Sequence, residues 1–291
     1  MNAAKDSYKY QSYNYMNKLL SVIRYEGVLD SKKYKTYALV AMVIFISISF
    51  AYLLPHFAPG YFFSNPGGKG AWIFSSGTIF TSVATGLIAM LIGTTMSSDT
   101  ISSEFESGTI TRLFSMPVSR AGIYFGKLIE KYILSLLFSI IIVITSIVFS
   151  YYLYGNQFYL SWALFVIFTI PLVFMGFVSL SMMLGSIIRQ PSLVFGIMIA
   201  IWIAMVFMAT VIMFRVGFNY YINFIPITNN SVYISSLYPL ITNPSGKIHL
   251  SYTVLNNVSK SYSLSLGLSA SIEALIFIFS GYYVFTKARI R

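Results

Sequence analysis

The chain has no cysteine and only two histidines, His56 and His249, among its 291 residues. Without cysteine, disulfides, thiolate nucleophiles and cysteine-ligated metal sites are all excluded. The two histidines lie far apart, and neither has a carboxylate or another histidine beside it. They are interpreted as loop residues, and no metal site or bound cofactor is expected in this chain.

Charge is also scarce. Charged residues make up 9% of the chain and apolar residues 57%. A soluble domain carries roughly a quarter charged residues, because its surface must face water. Lipid must therefore be the solvent for much of this surface, and the composition predicts a multi-pass, all-α membrane protein. The net charge of +11 comes mostly from basic clusters beside apolar runs. It is interpreted as a topology signal and a set of lipid-headgroup contacts, and nucleic-acid binding is not expected.

Six apolar runs are long enough for a helix to cross the ~30 Å hydrocarbon core of a bilayer. The predicted transmembrane helices are 37–54, 73–96, 132–152, 158–188, 192–214 and 264–285. The fourth and fifth are separated only by Arg189, Gln190 and Pro191. A charge followed by a proline favours a tight turn at the membrane face over one continuous helix.

The basic residues predict the orientation of these helices. If both termini are cytoplasmic, fifteen of the 19 Lys and Arg residues lie on the cytoplasmic face, as the positive-inside rule requires. The predicted units are a cytoplasmic leader (1–36), five membrane helices (37–216), an extracellular cap (217–263), and a sixth helix with a basic cytoplasmic tail (264–291). The expected location is the plasma membrane.

The leader contains an apolar stripe at helical spacing, formed by Met16, Leu19, Leu20 and Ile23. This spacing predicts an amphipathic helix. The helix could lie on the inner membrane surface, against a partner, or against its own bundle, and the sequence does not choose among them.

The connection between the second and third helices, residues 98–120, is called the elbow. It holds three of the chain's eight acidic residues, at Asp99, Glu104 and Glu106. Ser103 and Glu106 are spaced as a capping box, and Gly108 can end the short helix in a left-handed turn. Such a rigid helix–turn–helix, with carboxylates and an apolar tip, suits docking into a partner's groove. Contact with its own helices alone is the alternative.

The elbow and the two residues 126–127 resemble the cytoplasmic signature of the ABC transporter type-2 permeases. That family has a Glu-x-Glu-x-Gly-Thr run, an apolar pair, Ser-x-Pro-x-Ser-Arg, and a Gly-Lys that opens the third helix. The matching residues are Glu104, Glu106, Gly108, Thr109, Ser115, Pro117, Ser119, Arg120, Gly126 and Lys127. Family members often carry a basic residue where this chain has Phe105.

The resemblance implies the membrane-spanning subunit of an ATP-driven ABC transporter, an exporter that pairs with a second permease subunit, identical or paralogous. ATP and Mg²⁺ would bind to a separate ATP-binding subunit, onto which the elbow docks, with the leader as a second docking element. The implied docking residues are Glu104, Phe105, Glu106, Gly108, Thr109, Leu113, Phe114, Pro117 and Arg120. The chain has no Gly-x-x-x-x-Gly-Lys-Ser/Thr loop, so ATP hydrolysis by this chain is not expected.

Two other functions stay open on sequence grounds, an ion-coupled secondary transporter and a structural membrane subunit. Secondary transporters usually place ionisable residues near the bilayer midplane. Glu273, within the sixth predicted helix, meets that description. It could contact a translocation path, or it could simply form a hydrogen bond to a neighbouring Ser or Tyr.

Overall fold

The structure is a computed structural model that describes residues 2–57, 87–115, 118–155, 163–216 and 260–288. Every regular element in these ranges is an α-helix. The helices are α1 (Asn2–Lys32), α2 (Tyr34–Phe57), α3 (Leu87–Ser97), α4 (Ser102–Glu106), α5 (Ile110–Ser115), α6 (Arg120–Tyr154), α7 (Ala163–Ile187), α8 (Pro191–Val216) and α9 (Lys260–Lys287).

Four of these helices contain stretches long and apolar enough to cross a membrane: Arg120–Leu153, Ile170–Ile187, Pro191–Met208 and Gly267–Lys287. A shorter apolar stretch, Tyr34–Ser49, lies in α2. Helix α3 is the end of the predicted second transmembrane helix, and residues 73–86 lie outside the described ranges. The prediction of a helical membrane protein is therefore supported, while the count of six transmembrane helices stays a prediction.

Several predicted boundaries differ from the observed ones. Helix α2 begins at Tyr34, inside the predicted leader, and continues through Pro55 to Phe57. Helix α9 begins at Lys260, so the last four residues of the predicted cap belong to it. Residues 217–259 of the cap lie outside the described ranges. The predicted turn at Arg189 is confirmed, because α7 ends just before it and α8 begins at Pro191.

Helix α6 is longer than the transmembrane helix predicted for this region. It begins at Arg120, where the Ser119 hydroxyl accepts a hydrogen bond of 3.0 Å from the Gly122 backbone N–H. Its 35 residues extend about 52 Å at ~1.5 Å per residue, well beyond the ~30 Å hydrocarbon core. Helix α6 is therefore longer than the membrane requires, and its first turns pack beside the elbow.

Helix α7 lies at the centre of the described bundle. It packs against α3, α6, α8 and α9, and 72% of its apolar stretch is buried, compared with 11% for α8. Phe174 and Phe177 of α7 lie in one apolar cluster with Ile92 of α3 and Phe138 of α6. Helix α8 instead directs large apolar side chains such as Phe207 outward, as expected for a surface in contact with lipid.

Helix α9 crosses close to α6 and α7 at Gly281. A Cβ atom built at this position would lie 3.0 Å from the Met183 Cα atom and would also overlap the Tyr124 hydroxyl. Helices in a bilayer associate through close van der Waals packing, which small residues permit. The missing side chain at Gly281 therefore allows this crossing.

We expect Gly281→Ala to lower the melting temperature of the purified chain in detergent, because the added methyl group would overlap the Tyr124 hydroxyl and lie only 3.0 Å from the Met183 Cα atom of α7. Overpacking of this kind costs about 1–3 kcal/mol. Gly196→Ala on α8 is the matched control, since a Cβ there meets no atom within 4 Å. The control should melt at or above the native temperature, because alanine favours a helix over glycine. Equal melting temperatures for the two variants would contradict the close crossing.

Candidate functional site

The elbow consists of α4, a tight turn and α5. The predicted capping box is wrong: Ile101 occupies the N-cap of α4 without a side-chain cap, and the Ser103 hydroxyl donates instead to the Asp99 carbonyl. The predicted left-handed turn is confirmed, because Gly108 has φ of 71°. Glycine adopts this backbone conformation without steric cost because it has no Cβ atom, which explains its presence at this turn.

The aromatic residues of the elbow face inward. Phe105, Leu113 and Phe114 are partly buried against a cluster that includes Phe285 near the end of α9. The ring centroids of Phe105 and Phe114 lie 6.5 and 5.4 Å from that of Phe285, both edge-to-face. The apolar part of the elbow, predicted as a tip for a partner's groove, thus packs on its own bundle.

Arg120 also joins the elbow to α9. Its Nη1 donates a hydrogen bond of 2.5 Å to the Thr286 carbonyl, and its guanidinium lies 4.3 Å from the centroid of the Phe114 ring. Arg189 lies over the Phe105 ring at 5.1 Å. These contacts stack cations on the aromatic rings that anchor the elbow.

Among the described residues of the elbow, the longest exposed stretch is the turn from 106 to 109, which we call the polar turn; Arg112 and Arg120 are exposed as well. Glu106, Ser107, Gly108 and Thr109 are all exposed, and the hydroxyls of Ser107 and Thr109 lie 3.0 Å apart. Of the predicted docking residues, Glu106, Gly108, Thr109 and Arg120 are therefore on the surface. Pro117 lies outside the described residues.

Glu104, also predicted to dock, is directed into the protein. Its carboxylate lies 2.6 Å from the Nζ of Lys127, and its side chain is 15% exposed. Lys127 is 1% exposed and lies 2.5 Å from a second carboxylate, that of Glu26 on α1. One buried ammonium thus binds carboxylates from two other helices.

The glycine before Lys127 explains how α1 comes so close to α6. A Cβ at Gly126 would lie 2.7 Å from Cγ1 of Val22 on α1. The Gly-Lys pair of the family signature therefore has two local roles here. The glycine lets α1 pack tightly, and the lysine binds the carboxylate that α1 carries.

A second set of ion pairs lies one turn further along α1 and α6, and we call the two sets together the charge network. Lys131 binds Asp30, Lys33 lies 2.7 Å from Asp30 and 3.4 Å from Asp99, and Lys35 binds Asp99. The complete charge network is Glu26, Asp30, Lys33, Lys35, Asp99, Glu104, Lys127, Glu130 and Lys131. It contains five of the eight acidic residues of the chain, among them two of the three in the elbow, Asp99 and Glu104.

The carboxylates of the charge network differ in electrostatic environment. Burial would raise the pKa of Asp99, but the positive charges of Lys35 and Lys33 outweigh it and hold the pKa below its usual value. Burial is likewise outweighed at Asp30, where Lys131 and Lys33 lower the pKa. At Glu104 burial dominates and raises the pKa despite the attraction of Lys127. Asp30 and Asp99 thus stay ionised most readily.

Sequence reasoning missed the leader's part in this site. Leu20, placed in the apolar stripe, is 55% exposed, and α1 buries Glu26 and Asp30 against α6 instead. The leader thus packs on its own bundle, one of the alternatives that the sequence left open. A signal was present: Glu26 and Asp30 are four residues apart, as are Lys127 and Lys131, so each pair shares one helix face.

Glu273 is half-buried on α9, one residue before the buried Ala274. Helix α9 packs along α7. A role for Glu273 in a translocation path stays a prediction. Among the described residues, no group of three or more His, Asp or Glu is placed to bind a metal ion.

We expect Lys127→Met to destabilise the chain strongly, because it leaves Glu26 and Glu104 buried without their cation. Removing one partner of a buried ion pair typically costs about 3–5 kcal/mol. Lys32→Met makes the same substitution at an exposed lysine of α1 and should change stability by less than about 0.5 kcal/mol. The melting temperatures of the two purified variants in detergent measure these losses of stability. Similar losses in both variants would show that the buried ion pairs do not support the fold.

The comparisons with known proteins agree with a helical membrane protein. The family described as ABC-2 family transporter protein matches residues 4–289, almost the whole chain. No curated protein matches the chain. The family match and the long apolar helices together establish a membrane-embedded transport protein. The chain therefore belongs to the ABC-2 family of transporter proteins and is a transmembrane permease of that family.

Proposed function

We propose that this permease forms the membrane path of an ATP-driven exporter and docks its elbow onto a separate ATP-binding subunit. Family membership supports the transport role, and the type-2 signature favours export. The sequence contains no phosphate-binding loop, so ATP binding and hydrolysis are assigned to the partner. Two permease subunits, identical or paralogous, would enclose the path.

The observation that carries the docking proposal is the division of the elbow into a packed side and an exposed side. Phe105, Phe114 and Arg120 hold the elbow on α9, so the elbow does not depend on a partner for its shape. The polar turn projects from this base. A surface that is already ordered loses little conformational entropy on binding, which favours affinity. Glu106 supplies a negative charge for a complementary basic groove.

The orientation follows from the same elements. The elbow, the leader and the end of α9 meet at one end of the described bundle, and this end carries most of the basic residues. The positive-inside rule therefore assigns this end to the cytoplasm, where ATP is available. Both termini would then be cytoplasmic, and residues 217–259 would face the outside.

Cysteine labelling tests the orientation, because the chain has no native cysteine. Single cysteines at Ser107 and Ser245 should react differently with a membrane-impermeant maleimide on intact cells. We expect labelling at 245 alone, and labelling at both after the membrane is permeabilised. Labelling of 107 but not of 245 on intact cells would reverse the orientation.

We expect Glu106→Lys and Gly108→Val to weaken co-purification of the ATP-binding subunit by about tenfold or more, a loss of at least ~1.4 kcal/mol. The first reverses a charge, and the second forces a β-branched residue into a left-handed conformation that it resists. Glu106→Gln and Gly108→Asn are the matched controls, since asparagine tolerates positive φ. The controls should retain most of the partner.

The melting temperature of the isolated permease distinguishes lost docking from lost folding. A Cβ at Gly108 meets no atom within 4 Å, so Gly108→Val adds backbone strain but no steric overlap, and Glu106→Lys at an exposed position should melt normally. If both test variants melt normally and still retain a fully coupled ATPase, the polar turn is not the docking site.

A further inference from the structure

Lys127 lies where three separate parts of the chain meet. It belongs to the first turns of α6, Glu26 belongs to the leader helix α1, and Glu104 belongs to the elbow helix α4. The two carboxylates lie 101 and 23 residues away along the chain. A buried ammonium cannot separate from either carboxylate without leaving an uncompensated charge. The three helices are therefore held to one another through this single side chain.

The elbow end of this connection is close to the polar turn. Glu104 lies two residues before Glu106, at the start of the exposed turn. The aromatic contacts of Phe105 and Phe114 with Phe285 hold the same helix pair against α9. A displacement of the polar turn must therefore also displace the Glu104 carboxylate.

The leader end of the connection is equally constrained. Val22 of α1 packs against Gly126, where a Cβ would leave no room for it. Four residues after Glu26, Asp30 binds both Lys131 and Lys33, and Lys33 also reaches Asp99 at the start of the elbow. The leader is thus fixed to α6 and to the elbow at two points along its length.

We infer that Lys127 is a positioning residue that joins the elbow, the leader helix and the first turns of α6 into one rigid unit. This inference rests on the proposed function: a displacement imposed on the polar turn by the ATP-binding subunit reaches the membrane through α6 and the leader together. The acidic residues of the elbow then have distinct tasks. Glu106 faces the partner, and Glu104 connects the elbow to the other two helices.

Distance measurements between the elbow and the leader test the inference directly. Cysteines at Ser115, in the elbow but outside the polar turn, and at Ser21, both exposed, carry spin labels in the full-length permease, in lipid nanodiscs, alone and with its ATP-binding subunit. We expect one narrow distance distribution in the native chain that is unchanged when the subunit is trapped with ATP. In Lys127→Met we expect a second, longer distance population that increases with trapped ATP. Lys32→Met should behave as the native chain does.

Glu104→Gln covers the case in which Lys127→Met does not fold, because it keeps the side-chain size and leaves the Glu26–Lys127 pair intact. It should produce the longer population and reduce the ATP hydrolysis of the complex while the permease still retains its partner. Lys127→Arg should give a single narrow population, because it keeps the cation. If Lys127 acted only through its size, Lys127→Met would give a single narrow population as well.

Two outcomes overturn the inference. In the first, the native distribution shifts when ATP is trapped, which would mean that the elbow and leader move separately. In the second, Lys127→Met and Glu104→Gln keep the narrow native distribution. Failure of the proposed function is a different result: the permease would not retain the ATP-binding subunit at all, while the distance distributions of the isolated chain could still follow the expected pattern.

Discussion

The packing of the elbow against the leader and α6 depends on one interaction, the pairing of the buried Lys127 ammonium with Glu26 and Glu104. Removing a charge from water costs several kcal/mol, and only well-placed opposite charges offset that cost. Lys127 meets this condition with Glu26 and Glu104 at 2.5 and 2.6 Å. Because those carboxylates come from α1 and α4, the positions of the leader, the elbow and α6 become interdependent. Loss of any one of the three charges leaves another poorly compensated.

This dependence changes how the elbow is interpreted. From sequence, its carboxylates and aromatic residues formed one docking surface. In the structure, Glu104 binds Lys127 and the aromatic residues pack against Phe285, so the predicted docking residues that stay exposed are those of the polar turn and Arg120. A docking element that transmits force needs such a base, since a turn held only by its partner would move without moving the membrane helices. In the proposed docking model the inward residues would stiffen the elbow; both this role and docking stay proposals.

The membrane part of the chain is held together differently. Lipid tails are as apolar as the side chains, so the hydrophobic effect does not drive these helices together. Close packing replaces it, as at Gly281, where α9 meets Met183 and Tyr124, and in the aromatic cluster around α7. Among the described residues, little of the outer helix α8 is buried, as expected for a helix in contact with lipid.

The sequence by itself determined the class of protein, the turn at Arg189, the left-handed glycine at 108 and the family. These depend on composition, on the length of apolar runs and on local backbone preference, all of which are properties of continuous stretches of sequence. Only the tertiary structure decided that Glu104 turns inward, that Leu20 is exposed and that α1 contributes Glu26 and Asp30 to α6. Those outcomes depend on which charges meet across 101 residues of chain. Spacing along one helix shows which residues share a face, but only packing selects the face that each helix buries.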